Sequence, residues 1–137
     1  MALEKTLKFV GMAEKKIDLE TCSLELDETG IVELHIYPNE EIKPDKIVEI
    51  FENIHEHLPE GDKLLVTAGN KATLSQEARE MVSSGNVTTQ IKADAIVTEH
   101  YSHQMSANFF VRYNQPQRPT KLFKTEKEAR EWLRSFD

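Results

Sequence analysis

The sequence predicts an α/β fold with a mixed, mostly parallel sheet of about five strands and about four helices, opened by an antiparallel hairpin. Three observations predict it. Residues 23–37 alternate apolar and polar across Glu28-Thr29-Gly30. Short apolar runs then alternate with amphipathic stretches. The last nineteen residues pass from a strand straight into a capped helix.

Residues 1–16 are weakly patterned, open to a loosely attached arm, a short strand or a helix, in a single domain spanning 1–137. Ser23–Asp27 and Ile31–Tyr37 read as the hairpin, with Gly30 taking the positive φ of the turn. Leu24, Leu26, Val32, Leu34 and Ile36 form its inward set, and Pro38 ends the second strand. Asp45 is expected to cap a helix whose apolar stripe is Ile47, Val48, Ile50, Phe51, Ile54 and Leu58, stopped by Pro59–Gly61. Lys63–Ala68 has the continuous apolar character of a strand covered on both faces. Gly69–Thr73 reads as a loop, after which Thr73 or Ser75 caps a helix through Ala78, Met81 and Val82. Residues 86–92 carry no decisive pattern. Asp94–Glu99 is a further strand, and Met105, Phe109 and Tyr113 mark a helix from Ser102 to Asn114. After a proline-containing loop come the strand Thr120–Lys124 and a helix capped by Thr125, with Glu128 at the capping-box spacing. Ala129, Trp132, Leu133 and Phe136 fall on one face of that helix, and Trp132 and Phe136 are expected to pack it onto the sheet.

Composition bounds the function. Hydrophobic residues are 39% and charged residues 30% of 137, the balance of a globular domain. No apolar run approaches the roughly 20 residues that span a bilayer. The N-terminus has no signal-peptide core, which points to the cytoplasm. Cys22 is the single cysteine, so no intrachain disulfide forms. Net charge is −7. Residues 1–62 carry 6 Lys/Arg against 16 Asp/Glu, and residues 111–137 carry 7 against 4. An acidic surface repels phosphate backbones and argues against nucleic acid. The basic end is free to pair with the acidic half, within the chain or between copies, although ordinary solvated faces are the plainer reading of the same pattern.

No catalytic motif appears. His55 and His57 point to different helix faces. His100 and His103, with Glu99, fall short of the usual four metal ligands. Acidic Glu20 and Glu25 near Cys22 disfavour a thiolate, so it reads as a small buried hydrophobe. There is no nucleophile elbow and no phosphate-cradling loop, and no cofactor is implied. The expectation is a protein that is not an enzyme. Two places are candidate sites. Asn70, Lys71, Thr73 and Ser75 lie on the loop from a strand's carboxyl end to a helix N-terminus, suited to a partner, an anion or phosphorylation, or to plain helix capping. Met105, Phe109, Phe110 and Tyr113 lie on a helix with adjacent aromatics, suited to an apolar pocket, a dimer contact or a helix buried on two sides.

Three segments resemble the STAS-like, SpoIIAA-like group of small bacterial proteins that includes the STAS/SEC14 type. They are Ala107-Asn108-Phe109-Phe110-Val111-Arg112-Tyr113-Asn114, Pro119-Thr120-Lys121-Leu122-Phe123 and Glu128-Ala129-Arg130-Glu131-Trp132-Leu133, with weaker support from Ser75-Gln76-Glu77-Ala78-Arg79. The resemblance implies a regulatory domain that binds a protein partner, with a homodimer as a further expectation. Its classical members are phosphorylated at an Asp-Ser-Ser-Gly-like motif at a helix start. That motif is absent from Lys71-Ala72-Thr73-Leu74-Ser75-Gln76. The lipid-binding SEC14-type relatives imply the alternative, a carrier or sensor of a small apolar ligand held near Phe109 and Phe110.

Overall fold

The computed structural model describes residues 15–83, 90–97 and 118–137. Six strands form one sheet: β1 (Lys15–Asp18), β2 (Cys22–Leu26), β3 (Ile31–Ile36), β5 (Lys63–Ala68), β7 (Asp94–Val97) and β8 (Thr120–Phe123), in that spatial order. β1, β2 and β3 pair antiparallel, and β3, β5, β7 and β8 pair parallel. A two-stranded parallel ribbon joins β4 (Glu41–Ile42) to β6 (Thr73–Leu74). The described helices are α1 (Pro44–His57), α2 (Gln76–Ser83) and α3 (Glu126–Arg134). The expected helix over 102–114 lies outside the described residues.

The hairpin turn forms as the sequence implies. Gly30 has φ +89°, which only glycine adopts cheaply. Asp27 organises the turn, its Oδ1 accepting from the backbone N–H of Thr29 (2.8 Å) and Ile31 (3.1 Å). Strand parity then sorts the side chains. Leu24, Leu26, Val32, Leu34 and Ile36 are buried on the face covered by α1 and α2, against Ile47, Ile50, Phe51, Ile54 and Ala78. Ile31, Leu65, Ala93, Ala95 and Val97 face the other side, where Ala129 and Leu133 of α3 cover them.

Several expectations change. The sheet gains β1, which begins at the end of the weakly patterned segment 1–16 and runs past it, with Ile17 fully buried opposite Leu24. Asp45 does not cap α1: Pro44 starts the helix, Lys43 precedes it in an extended conformation, and Asp45 sits in the first turn, where its charge suits the helix dipole. Val48 is 41% exposed, because the stripe facing the sheet is narrower than the run of apolar residues. The closing helix is held by fully buried Ala129 and Leu133. Trp132 and Phe136 pack against the same cluster, as expected, but are only half-buried and form an aromatic rim with Phe123, at centroid distances of 5.6 Å (Phe123–Trp132) and 4.8 Å (Trp132–Phe136). Thr125 caps this helix as expected, its hydroxyl accepting from Glu128 N–H at 3.2 Å. Glu128 reaches back to the Thr125 hydroxyl (3.0 Å) rather than to its backbone.

Ion pairs tie the basic end to the acidic half within one chain. Arg130 on α3 reaches Asp27 (2.7 Å), Glu33 (2.8 Å) and Glu126 (3.1 Å). Lys63, fully buried at the start of β5, meets Asp62 (3.1 Å) and Asp137. Burial opposes its charge, but the two carboxylates outweigh that and raise its pKa. This contribution to stability is complete below the ordinary lysine pKa and is lost as pH rises through the raised one. Arg118 grips Asp94 with two hydrogen bonds, 2.6 and 3.0 Å, beside the Thr120 hydroxyl.

Candidate functional site

The loop after β5 is built by pairing with the loop after β3. Asn39 N–H donates to the Asn70 carbonyl (2.9 Å), Thr73 N–H to Glu40 (2.9 Å), Ser75 N–H to Ile42 (2.9 Å) and Gly69 N–H to Ile36 (2.8 Å). A Cβ on Gly69 would lie 2.7 Å from Pro38 ring atoms, so only glycine permits this approach of the two loops. Asn39 and Lys71 both adopt left-handed backbone, with φ 67° and 66°. Asparagine takes that region readily. For Lys71 it is strained, at a cost on the order of 1 kcal/mol. Ala72 is buried and anchors the tip from below.

Of the four residues proposed from sequence, three share this ridge. Asn70, Lys71 and Thr73 are exposed, and neither the Asn70 amide nor the Lys71 ammonium has a side-chain partner among the described residues. Thr73 does not cap a helix. It lies in β6, with its hydroxyl on the Leu74 carbonyl at 3.3 Å. Ser75 is the cap, its half-buried Oγ accepting from Ala78 N–H at 3.1 Å, while Arg79 donates to the Leu74 carbonyl (2.7 Å). The ridge stands at the carboxyl ends of β3 and β5. The strand order never reverses among the described strands, so the loop projects without the crevice that a reversal opens in doubly wound sheets.

Met105, Phe109, Phe110 and Tyr113 lie outside the described residues, as do His100, His103 and Glu99. His55 is exposed and His57 buried, on different faces of α1. Among the described residues no three His, Cys, Asp or Glu side chains are grouped to hold a metal ion. Cys22 is fully buried, and burial pushes its thiol up to about 11, the opposite of what a nucleophile requires. No described helix is long and apolar enough to cross a membrane.

A second polar group escaped the sequence reading. On the α3 side of the sheet, His35 Nδ1 meets the Thr67 hydroxyl at 2.8 Å, and that hydroxyl reaches Glu33 at 3.4 Å. Burial, then the nearby Glu126 charge, raises the Glu33 pKa against the pull of Arg130. The available signal was parity. Glu33 and His35 occupy the alternate positions of a strand whose other face is wholly apolar.

A family model described as "Domain of unknown function (DUF7793)" matches residues 24–137. No curated protein matches the chain. Among solved structures, the chain is similar to an uncharacterised protein of the DUF3478 family with a SpoIIAA-like fold from Shewanella loihica PV-4. The TM-score is 0.52 at 11% identity, covering 92% of this chain and 99% of that one. At that identity the likeness is one of fold.

Proposed function

The chain belongs to that family of unknown function and has a SpoIIAA-like fold, and from these and the ridge at 69–75 we propose a non-enzymatic regulatory domain that binds another protein through the ridge. One observation carries the reading. A backbone pinned by hydrogen bonds to the neighbouring loop presents the uncommitted side chains of Asn70 and Lys71, and it holds Lys71 in a left-handed conformation. A preformed surface of this kind loses little entropy when a partner docks. Lys71 supplies a positive charge at a tip otherwise flanked by Glu40 and Glu41, which favours an acceptor-rich partner surface. The buried, inert thiol fits work in a reducing cytoplasm.

The test is affinity capture from native extract with the wild-type chain, Asn70→Ala and Lys71→Glu, all checked for equal stability. A partner retained by the wild type and reduced about tenfold by Lys71→Glu, a change of about 1.4 kcal/mol, is the expected outcome. Equal capture by all three contradicts the ridge as the docking surface. Recovery of a stoichiometric lipid-like molecule in place of a protein favours the apolar-carrier alternative.

A further inference from the structure

Among the described residues β1 is an edge of the main sheet, paired on one side only. The turn at 19–22 sets which of its main-chain groups face outward. Leu19 N–H donates to the Cys22 carbonyl at 2.8 Å, so these two residues form a hydrogen-bonded pair. Bonded and non-bonded pairs alternate along an antiparallel ladder. Ile17 with Leu24 and Lys15 with Leu26 are therefore bonded pairs, while Lys16 with Glu25 and Asp18 with Ser23 are not. The N–H and C=O groups of Lys16 and Asp18 thus point away from β2. On that side neither residue has a hydrogen-bond partner among the described residues.

The side chains of Lys16 and Asp18 are exposed and share the face of the sheet that carries α3. α3 packs on β5, β7 and β8, at the far end of that face, and leaves it open at β1. Asp18 takes the Tyr37 hydroxyl on Oδ1 at 3.3 Å, which leaves its second oxygen for another donor. The Lys16 ammonium forms no ion pair among the described residues. Charges on an open edge restrict which strand can pair with it. Consider a second copy of the chain laid antiparallel along β1. Centred on Lys16, the two strands set lysine opposite lysine, and centred on Asp18 they set aspartate opposite aspartate, both repulsive. Centred on Ile17, they set Lys16 of each copy opposite Asp18 of the other.

We propose that the domain forms a two-fold homodimer in which β1 pairs antiparallel with β1 of a second copy, in the register centred on Ile17. The edge is complementary to itself in that register alone. Every outward N–H of Lys16 meets an outward C=O of Asp18 and the reverse, so the open groups of both strands are satisfied together. The same pairs carry opposite charges on an open face, which adds an ion pair at each end of the contact. The contact is short, so the dimer is weak and fills only at high protein concentration. It uses none of the residues of the ridge at 69–75, so its failure leaves the ridge reading standing.

The experiment is sedimentation velocity of the full chain from about 10 μM to about 1 mM, where weak contacts fill. It compares the wild type, Lys16→Asp, Asp18→Lys and an equimolar mixture of the two variants. Both positions are exposed, so neither change touches the core. The wild type is expected to shift from monomer to dimer across this range. Each variant alone sets like charges opposite each other and should associate about tenfold more weakly or worse. The mixture should recover association to within about threefold of the wild type, because the acidic edge of one variant then faces the basic edge of the other. A second readout needs no variant: amide exchange at Lys16 and Asp18 should slow as wild-type concentration rises, since the outward N–H groups become bonded. A wild type that stays monomeric, a dimer that neither substitution weakens, a mixture no better than its components, or exchange at Lys16 and Asp18 independent of concentration overturns the proposal.

Discussion

Leu133→Ala is expected to lower the unfolding free energy by about 3 kcal/mol, within the 2–5 kcal/mol typical of buried leucine truncations. Leu133 is fully buried against Ile31, Leu65, Ala93 and Ala95, and with Ala129 it is the residue of α3 that closes this side of the core. The neighbouring elements leave little room to collapse, because β5 and β7 are paired through Leu64–Val66 and Asp94–Ile96, directly beneath the helix. The same helix carries Arg130 and leads to Asp137, so loosening it also strips partners from Glu33 and from buried Lys63. Trp132→Ala should cost less, since Trp132 is half-buried at the rim. Urea denaturation of both variants checks this. A larger loss for Trp132→Ala than for Leu133→Ala contradicts the packing described.

Arg118→Met is expected to be as damaging, by about 3–5 kcal/mol at neutral pH, because it strands a buried carboxylate. Burial already pushes the Asp94 carboxyl above its ordinary value, with Arg118 and Thr120 pulling it down. Removing Arg118 lets burial dominate further. A carboxyl whose folded pKa exceeds its unfolded value favours the folded state as it takes up a proton. The deficit of Arg118→Met should therefore shrink as pH falls from about 7 towards the unfolded aspartate value of about 3.9. The double variant Asp94→Asn/Arg118→Met should be more stable than Arg118→Met alone at pH about 7, since no charge is then buried. A deficit independent of pH, or a double variant no better than the single, contradicts the pairing. Chemical denaturation across pH reads both.

The sequence made the local parts of this fold legible. The hairpin could be read because its alternation spans both strands and Gly30 sits at the turn. Lys63–Ala68 was bounded correctly because Gly61 and Gly69 flank a continuous apolar run. Thr125 and Glu128 announced α3 for the same local reason. β1 was missed because Lys-Lys-Ile-Asp has one apolar residue, and only its register against β2 shows Ile17 to be core. β4 and β6 are two residues each and exist through a pairing 32 positions apart, which no periodicity records. Val48 shows the converse limit, since an apolar residue beside a helical stripe need not face the sheet.

The candidate site divides in the same way. The loop at Asn70–Ser75 was legible as a strand-to-helix connection, and Ser75 as one of two possible caps. The left-handed Lys71 and the bond from Asn39 were not, because both depend on the loop 32 residues earlier. The His35–Thr67–Glu33 group depends on contacts far apart in the chain, here the register of β3 against β5. So do the long-range ion pairs: Arg130 lies 103 residues from Asp27 and 97 from Glu33. Composition showed only a basic end and an acidic half, a pattern that ordinary solvated faces would produce as well.

Hydrogen–deuterium exchange of the captured partner complex tests the docking surface most directly. Slowed exchange in the complex across the backbone of Asn39 and of Asn70–Ser75, with α1 unchanged, is the predicted result. Protection confined to the acidic face of α1, with 69–75 exchanging as in the free protein, would contradict the ridge as the surface through which this domain acts.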